Sequence, residues 1–148
     1  MSTDYTGRTV DLAMFPDLTQ PNKFVNAEFS CAPKAIAGIS MLVQNYVRIL
    51  LSPLGCYVSD PTFGSNLISR LKQVQYSSDI TNAFATENSR VISYMQQNQN
   101  PASPLDEQIA SATLTGSNIS GTSIELDITV VSQAGTGVSL LLPVQWNN

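Results

Sequence analysis

The stretch that decides the fold is SIELDITVV, residues 123–131. Apolar and polar side chains alternate along it from Ser123 to Val130, and the polar ones are serine, glutamate, aspartate and threonine. Because successive side chains of a strand point to opposite faces, this period of two predicts a strand with one buried face and one wet face. The predicted buried positions are Ile124, Leu126, Ile128 and Val130.

Two further strands flank this stretch. Residues 109–115 predict a strand before it, joined to it by a turn-rich link over residues 117–121. Gly135, Thr136 and Gly137 predict the next turn, after which apolar residues again recur at every second position. The predicted inward positions of this third strand are Val138, Leu140, Leu142 and Val144. The C-terminal part of the chain therefore predicts a three-stranded antiparallel meander.

The third strand carries two unusual residues. Pro143 has no N–H for a ladder, which predicts that this strand lies at a sheet edge. Leu141 points with Ser139 to the face that should be wet. A singly exposed leucine is ordinary, and an edge that a partner covers is the alternative interpretation. If a partner covers this edge, Ser139, Leu141 and Pro143 are the candidate partner-binding residues.

Upstream of the meander the apolar residues recur at helical spacing. A first helix is predicted over residues 33–51, with Pro33 in its first turn, and the Ser52-Pro53 pair ends it. Ser65 is predicted to cap a short helix through Leu71.

A third helix is predicted to begin after Ser77-Ser78 and to run to Gln97. Residues 1–30 show no clear period and predict an extended N-terminal arm, followed by a single domain over residues 31–148. The predicted class is α+β, with two or three N-terminal helices packed on the C-terminal three-stranded antiparallel meander.

The composition argues against several classes of function. The 148 residues include 7 basic and 11 acidic side chains and no histidine. The basic residues form no cluster that could displace counterions from nucleic acid. Without histidine the chain lacks the commonest general base and metal ligand, and it has neither a glycine-rich phosphate loop nor a long apolar span. We therefore expect no catalytic, cofactor-binding or metal-binding residues, no nucleic acid and no membrane contact.

The acidic residues are the remaining candidates for a functional site. Glu87 falls in the middle of an apolar helical stripe, and Arg90 can reach it from three residues on. This pair lies either at the helix surface or forms a buried polar hinge that fixes how the helix meets a partner. Asp106 and Glu107 stand at the entrance of the first strand, where a solvated surface pair is expected. The outward Glu125 and Asp127 should be solvated too.

The two cysteines, Cys31 and Cys56, lack the spacing of a metal site. Two reduced, partly buried thiols are one interpretation. An intermolecular disulfide in a mature particle is the other.

Two loop segments carry a resemblance to a known family. The segments VRILLSPLG, residues 47–55, and DPTFGSNL, residues 60–67, resemble the loop of the gene product 25-like baseplate wedge family of contractile-tailed phages. That family has a relative in the type VI secretion baseplate, and TG followed by LLLPV at residues 136–144 is similar to its last strand. The resemblance covers roughly residues 34–146. The motif residues in the loop are Pro53, Gly55, Pro61, Phe63 and Gly64.

The resemblance implies a structural role. Family members dock the first ring of tail-sheath subunits by strand addition and contact other baseplate wedge proteins, with the tube or hub as a further neighbour. Several copies would stand in a sixfold assembly within the virion tail baseplate, put together in the host cytoplasm. A tail-associated, lysozyme-like cell-wall hydrolase is an alternative, and so is the equivalent scaffold of a bacterial contractile injection or type VI secretion baseplate.

The chain departs from the family at one motif. Family members usually carry Glu-Pro-Arg between the last helix and the first strand, and no such triplet occurs here. Glu87 and Arg90 have the charges, with one residue too many between them, whereas Asp106 and Glu107 have the better position. Both pairs stay open as the candidate ion-pair motif.

Overall fold

The computed structural model describes residues 8–14, 34–121 and 123–145. Three helices and a C-terminal sheet dominate this part of the chain. The strands are β1 (Asp11–Leu12), β2 (Ala35–Ile36), β3 (Ile109–Ser120), β4 (Ser123–Ser132) and β5 (Gly137–Gln145). The helices are α1 (Ile39–Leu51), α2 (Leu67–Leu71) and α3 (Ser77–Asn98), and a single 3-10 turn spans Leu105–Glu107.

The predicted α+β class with a C-terminal meander is confirmed. The sheet has the order β3-β4-β5, and both of its pairs are antiparallel. The alternation in SIELDITVV is confirmed as well, because its four apolar side chains at even positions are at most 1 % exposed. The helices cover the inner face of the sheet, with α3 against β3 and α1 against β4.

Two predicted element boundaries are wrong. The predicted turn-rich link over residues 117–121 is strand instead, since β3 continues to Ser120, which pairs with Ser123 across a two-residue connection. The continuation needs a bulge between Leu114 and Gly116, and a side chain at position 116 would stand 2.8 Å from the Asp127 carboxylate. The serines and asparagine there suggest a loop, but they lie on an exposed hairpin that antiparallel pairing with β4 holds in place.

The first helix begins at Ile39, not at Pro33. Gly38 adopts a φ of 63°, a left-handed conformation that glycine enters without strain. The two residues Ala35 and Ile36 form β2, which pairs antiparallel with β1. The pairing uses backbone groups that helical geometry would have taken up, so helical periodicity alone could not place this boundary.

A buried polar network fixes the two long helices relative to the sheet. The Tyr46 hydroxyl of α1 donates to the Asn88 side-chain oxygen of α3 at 2.7 Å. The Asn88 amide in turn donates to the Ala112 carbonyl of β3 at 2.7 Å. Burial raises the pKa of the Tyr46 hydroxyl. Because the Tyr46 hydroxyl, the Asn88 amide and the Ala112 carbonyl all have partners, this network fixes one helix position at little cost in free energy.

Part of the predicted arm lies against the domain. Residues 8–14 include β1, and the Gln44 side chain of α1 binds this segment at three points. It accepts from the Met14 amide at 2.7 Å and donates to the Leu12 carbonyl at 2.9 Å and to Asp11 at 3.2 Å. The rest of the predicted arm lies outside the described residues, as do Cys31 and Pro33 of the predicted domain. None of the described helices is long and apolar enough to cross a membrane.

Candidate partner-binding edge

The strand β5 lies at one side of the three-stranded sheet. Its partner is β4, and no other strand of the described residues pairs with it. Val138, Leu140, Leu142 and Val144 face the core and are at most 7 % exposed. Ser139 is exposed on the opposite, outer face, where Leu141 and Pro143 are half-buried.

The register shows which backbone groups of β5 point to the open side. The Ser132 amide donates to the Thr136 carbonyl at 2.9 Å, so the hairpin closes on a hydrogen-bonded pair. Hydrogen-bonded and non-hydrogen-bonded pairs alternate along an antiparallel ladder. The pairs at residues 138, 140 and 142 therefore bond to β4, whereas the backbone groups at residues 137, 139, 141 and 143 point away from it.

Two local observations agree with this assignment. Pro143 pairs with Glu125 and has no N–H, so a non-hydrogen-bonded position costs the β4–β5 ladder nothing. The hydroxyls of Thr129 and Ser139 lie 2.9 Å apart. Non-hydrogen-bonded pairs bring their side chains closest, and this contact marks such a pair.

The open side of β5 thus presents an unfilled ladder. Gly137, Ser139 and Leu141 each offer one donor and one acceptor, and Pro143 offers an acceptor alone. The opposite side of the sheet differs, because the Ala112 carbonyl on the outer side of β3 already accepts from Asn88 of α3. The β5 edge, whose outward groups at residues 137–141 have no partner among the described residues, is therefore a template for a further strand.

The outer face beside this edge is acidic. Glu125 lies opposite Pro143 and Asp127 lies opposite Leu141, so both carboxylates stand one strand in from the edge. Neither side chain has a hydrogen bond or ion pair to another described residue. The predicted solvated face therefore carries two carboxylates that no described residue neutralises, next to the open ladder.

The loop that carries the family motif is held closed by its own backbone. The Ser65 amide donates to Ser52 at 2.8 Å, and the Gly55 amide donates to Phe63 at 2.9 Å. Gly64 has a φ of 97°, and a Cβ there would overlap the Pro53 carbonyl. The Ser65 hydroxyl donates to the Leu50 carbonyl at 2.5 Å, which fastens the loop to the end of α1.

Side chains fasten the same loop to α3. The Asp60 carboxylate accepts from the Thr62 hydroxyl at 2.6 Å and from the Tyr94 hydroxyl of α3 at 2.5 Å. The hydrogen bond from Thr62, followed by that from Tyr94, lowers the pKa of Asp60. Burial and the Asp60 carboxylate raise the pKa of Tyr94 to about 12. The Phe63 ring packs edge-on against Tyr94, with centroids 5.9 Å apart. Pro61 is exposed at the outer bend.

Of the two interpretations of Glu87, the pair at the helix surface is wrong and the buried position is right, although Arg90 still lies within ion-pair distance. Glu87 is only 2 % exposed, and its main partners come from α2 and the residue before it. Arg70 donates to it at 2.6 Å and the Asn66 amide at 2.9 Å, whereas Arg90 stands 3.9 Å away. Arg90 donates instead to the Thr62 carbonyl at 3.0 Å. Glu87 joins α3 to the start of α2 within this chain.

The expected solvated pair at Asp106 and Glu107 is only half right. Asp106 is partly exposed and pairs with Arg8 at 2.7 Å. The Glu107 side chain is only 1 % exposed. It accepts from the Thr9 and Gly38 amides, each at 3.3 Å. Both candidate ion-pair motifs therefore hold separate segments together, and their main cations, Arg70 and Arg8, lie too far along the sequence for spacing to have revealed them.

A groove of about 300 Å³ opens between α1 and α3. Arg48 and Tyr94 line its walls, and Glu107 is the one carboxylate among the described lining residues. Within the described ranges, no three carboxylate or cysteine side chains come together in a way that could hold a metal ion. Cys56 is exposed and is a free thiol among the described residues, so the interpretation of it as a partly buried thiol is wrong.

Comparisons with protein-family models, with curated proteins and with solved structures each found no match.

Proposed function

We propose that this chain is a structural wedge component of a contractile phage tail baseplate, which docks and nucleates the first sheath ring by strand addition to β5. The observation that carries the proposal is the open ladder at Gly137, Ser139 and Leu141. Strand addition fills such a ladder with backbone hydrogen bonds, while alternate side chains set the register. No turnover is part of this role.

The loop and the two buried carboxylates support the proposal because they connect separate segments of the chain. The motif residues around Gly64 and the pairs at Glu87 and Glu107 fasten helices, loop and arm into one body. A platform for repeated assembly needs a stiff sheet support rather than a mobile catalytic group. The buried carboxylates are already satisfied by donors from this chain, which disfavours a hydrolase that would need one of them free to protonate a sugar.

The proposal is tested by nucleation of sheath polymers from purified sheath subunits on the purified chain. Leu141→Asp places a charge at the outer face of the edge and Ser139→Pro removes one outward donor, and neither change touches the core face. We expect both variants to keep the unfolding midpoint within a few degrees of the original and to lose sheath nucleation.

The matched control is Val58→Asp, which charges a fully exposed valine on the loop. It should nucleate sheath normally. Full-length sheath from both β5 variants would refute strand addition at this edge. Carboxylate-dependent clearing of peptidoglycan by the chain, lost in Glu87→Gln or Glu107→Gln, would favour the hydrolase instead.

A further inference from the structure

We infer that the strand added to β5 is short and carries a basic side chain opposite Leu141. This inference rests on the proposed strand addition. It goes further by naming the length and the chemistry of the partner segment.

The length follows from Pro143. The uninterrupted part of the ladder runs from Gly137 to Leu141, with one donor and one acceptor at each outward residue. At Pro143 the ring stands where the next N–H would be, so an added strand loses a bond there and meets the ring instead. Five residues of strand span about 14 Å, and the partner segment must diverge or end beyond Leu141.

The charge follows from the outer face. Asp127 lies directly opposite Leu141 on the neighbouring strand, and Glu125 lies opposite Pro143. A residue added opposite Leu141 would point to the same outer face, with its backbone about 10 Å from that of Asp127, which is two strand spacings. Lysine or arginine can lay its methylene stem over an apolar side chain while its charged end reaches further. Half-buried Leu141 would contact the methylene stem, and the Asp127 carboxylate would attract the charged end.

An acidic or neutral side chain at that position would fit less well. An acidic one would face two unneutralised carboxylates. A small neutral one would leave Leu141 partly wet. The same two carboxylates would also attract a basic segment during encounter, so the association rate should fall with added salt.

The pairing residue is identified by disulfide cross-linking to sheath subunits. The probe is Leu141→Cys in a background with Cys31→Ser and Cys56→Ser, combined with single cysteines along the terminal segments of the purified sheath subunit. We expect one dominant cross-link, at a position that is lysine or arginine in the unmodified sheath subunit.

The charge is tested by binding of the unmodified sheath subunit across a salt series. Asp127→Asn should raise Kd about three- to fivefold at low salt, as for a surface ion pair, and the difference should vanish at high salt. The control Asp79→Asn makes the same charge change at the start of α3 and keeps an acceptor for the Tyr76 amide. It should bind as the original does.

The outcomes separate the two proposals. A dominant cross-link to Leu141→Cys from a position that is not basic, or an unchanged Kd in Asp127→Asn, overturns the basic-strand inference and leaves strand addition standing. Sheath binding without any cross-link to Leu141→Cys overturns both.

Discussion

Gly64 is the residue at which the loop leaves least freedom for substitution. Its φ of 97° lies in the left-handed region, and the Pro53 carbonyl occupies the space of a Cβ. The loop crosses back on itself at this point. The Ser65 amide donates to the Ser52 carbonyl, the Ser65 hydroxyl donates to the Leu50 carbonyl, and the Leu54 amide donates to the Ser65 carbonyl. Glycine is therefore required by backbone geometry and by packing together.

Gly64→Ala should lower the free energy of unfolding by about 2–4 kcal/mol, because positive φ and backbone overlap both oppose the new methyl group. Urea unfolding followed by circular dichroism measures the change. Gly135→Ala is the control, since Gly135 also has positive φ but nothing within 4 Å of its Cβ position. It should cost only about 1 kcal/mol. Equal losses in the two variants would show that packing against Pro53 contributes nothing.

Glu87 is the buried charge on which the α2–α3 contact depends. Glu87→Ala should lower the free energy of unfolding by about 3 kcal/mol, because it removes the hydrogen-bond acceptor of the Asn66 amide and the ion-pair partner of the Arg70 guanidinium. Arg70→Ala should cost clearly less, since the Arg70 side chain is 49 % exposed and water can replace it. Chemical denaturation of both variants gives the comparison. A larger loss for Arg70→Ala than for Glu87→Ala would contradict this view of the site.

Sequence reasoning at this scale found the right residues but not their partners. The helical stripe marked Glu87 as a carboxylate that must be paired or open to water, and the nearest cation in sequence was Arg90. The real partner, Arg70, lies 17 residues away and approaches only because α2 packs on α3. Glu107 was likewise predicted to be exposed. The sequence could not show its burial, because its donors are the distant amides of Thr9 and Gly38. Hydrogen bonds between residues so far apart in sequence leave no periodic pattern of side chains from which they could be predicted.

At the scale of elements, the strands were more predictable than the helix start. A period of two in residues 123–131 and 138–144 specified which side chains are buried, and the structure confirms each of them. The limits of α1 and β3 depend instead on competition for backbone hydrogen bonds. Pairing of β1 with β2 shortened the helix, and pairing with β4 lengthened the strand through a polar segment. Side-chain pattern carries little information on either competition.

The loop between α1 and α2 should respond to pH through Asp60 and Tyr94. Hydrogen bonds lower the folded pKa of Asp60, so its contribution is present above its unfolded pKa of about 4 and is lost as pH falls through the folded value. The pKa of Tyr94 is raised to about 12. Its contribution is therefore present below its unfolded pKa of about 10 and is lost as pH rises through 12.

Stability measured against pH for the original chain, Asp60→Asn and Tyr94→Phe checks these signs. The original should lose stability relative to Asp60→Asn below about pH 4. It should also lose stability relative to Tyr94→Phe above about pH 10. Parallel curves across the acid range would mean that Asp60 is not held by the loop.

At the scale of the described molecule, the architecture is a sheet supported by helices on one face, with β5 as an edge strand. The helices, the loop and residues 8–14 are tied to one another by polar contacts that bridge distant parts of the chain. Only 12 % of the residues are charged, so the polar surface consists mainly of serine, threonine and amide side chains, which suits permanent contacts. Among the described residues β5 is an edge strand whose outward main-chain groups have the capacity for a new partner.

Amide hydrogen exchange of the free chain and of its complex with sheath subunits tests that claim most directly. In the free chain the amides of Gly137, Ser139 and Leu141 should exchange rapidly, while those of Val138, Leu140 and Leu142, bonded to β4, are protected. Sheath subunits should slow the first set strongly and leave the second unchanged. Protection of Ser139 and Leu141 already in the free chain, or no change on sheath binding, would contradict the account.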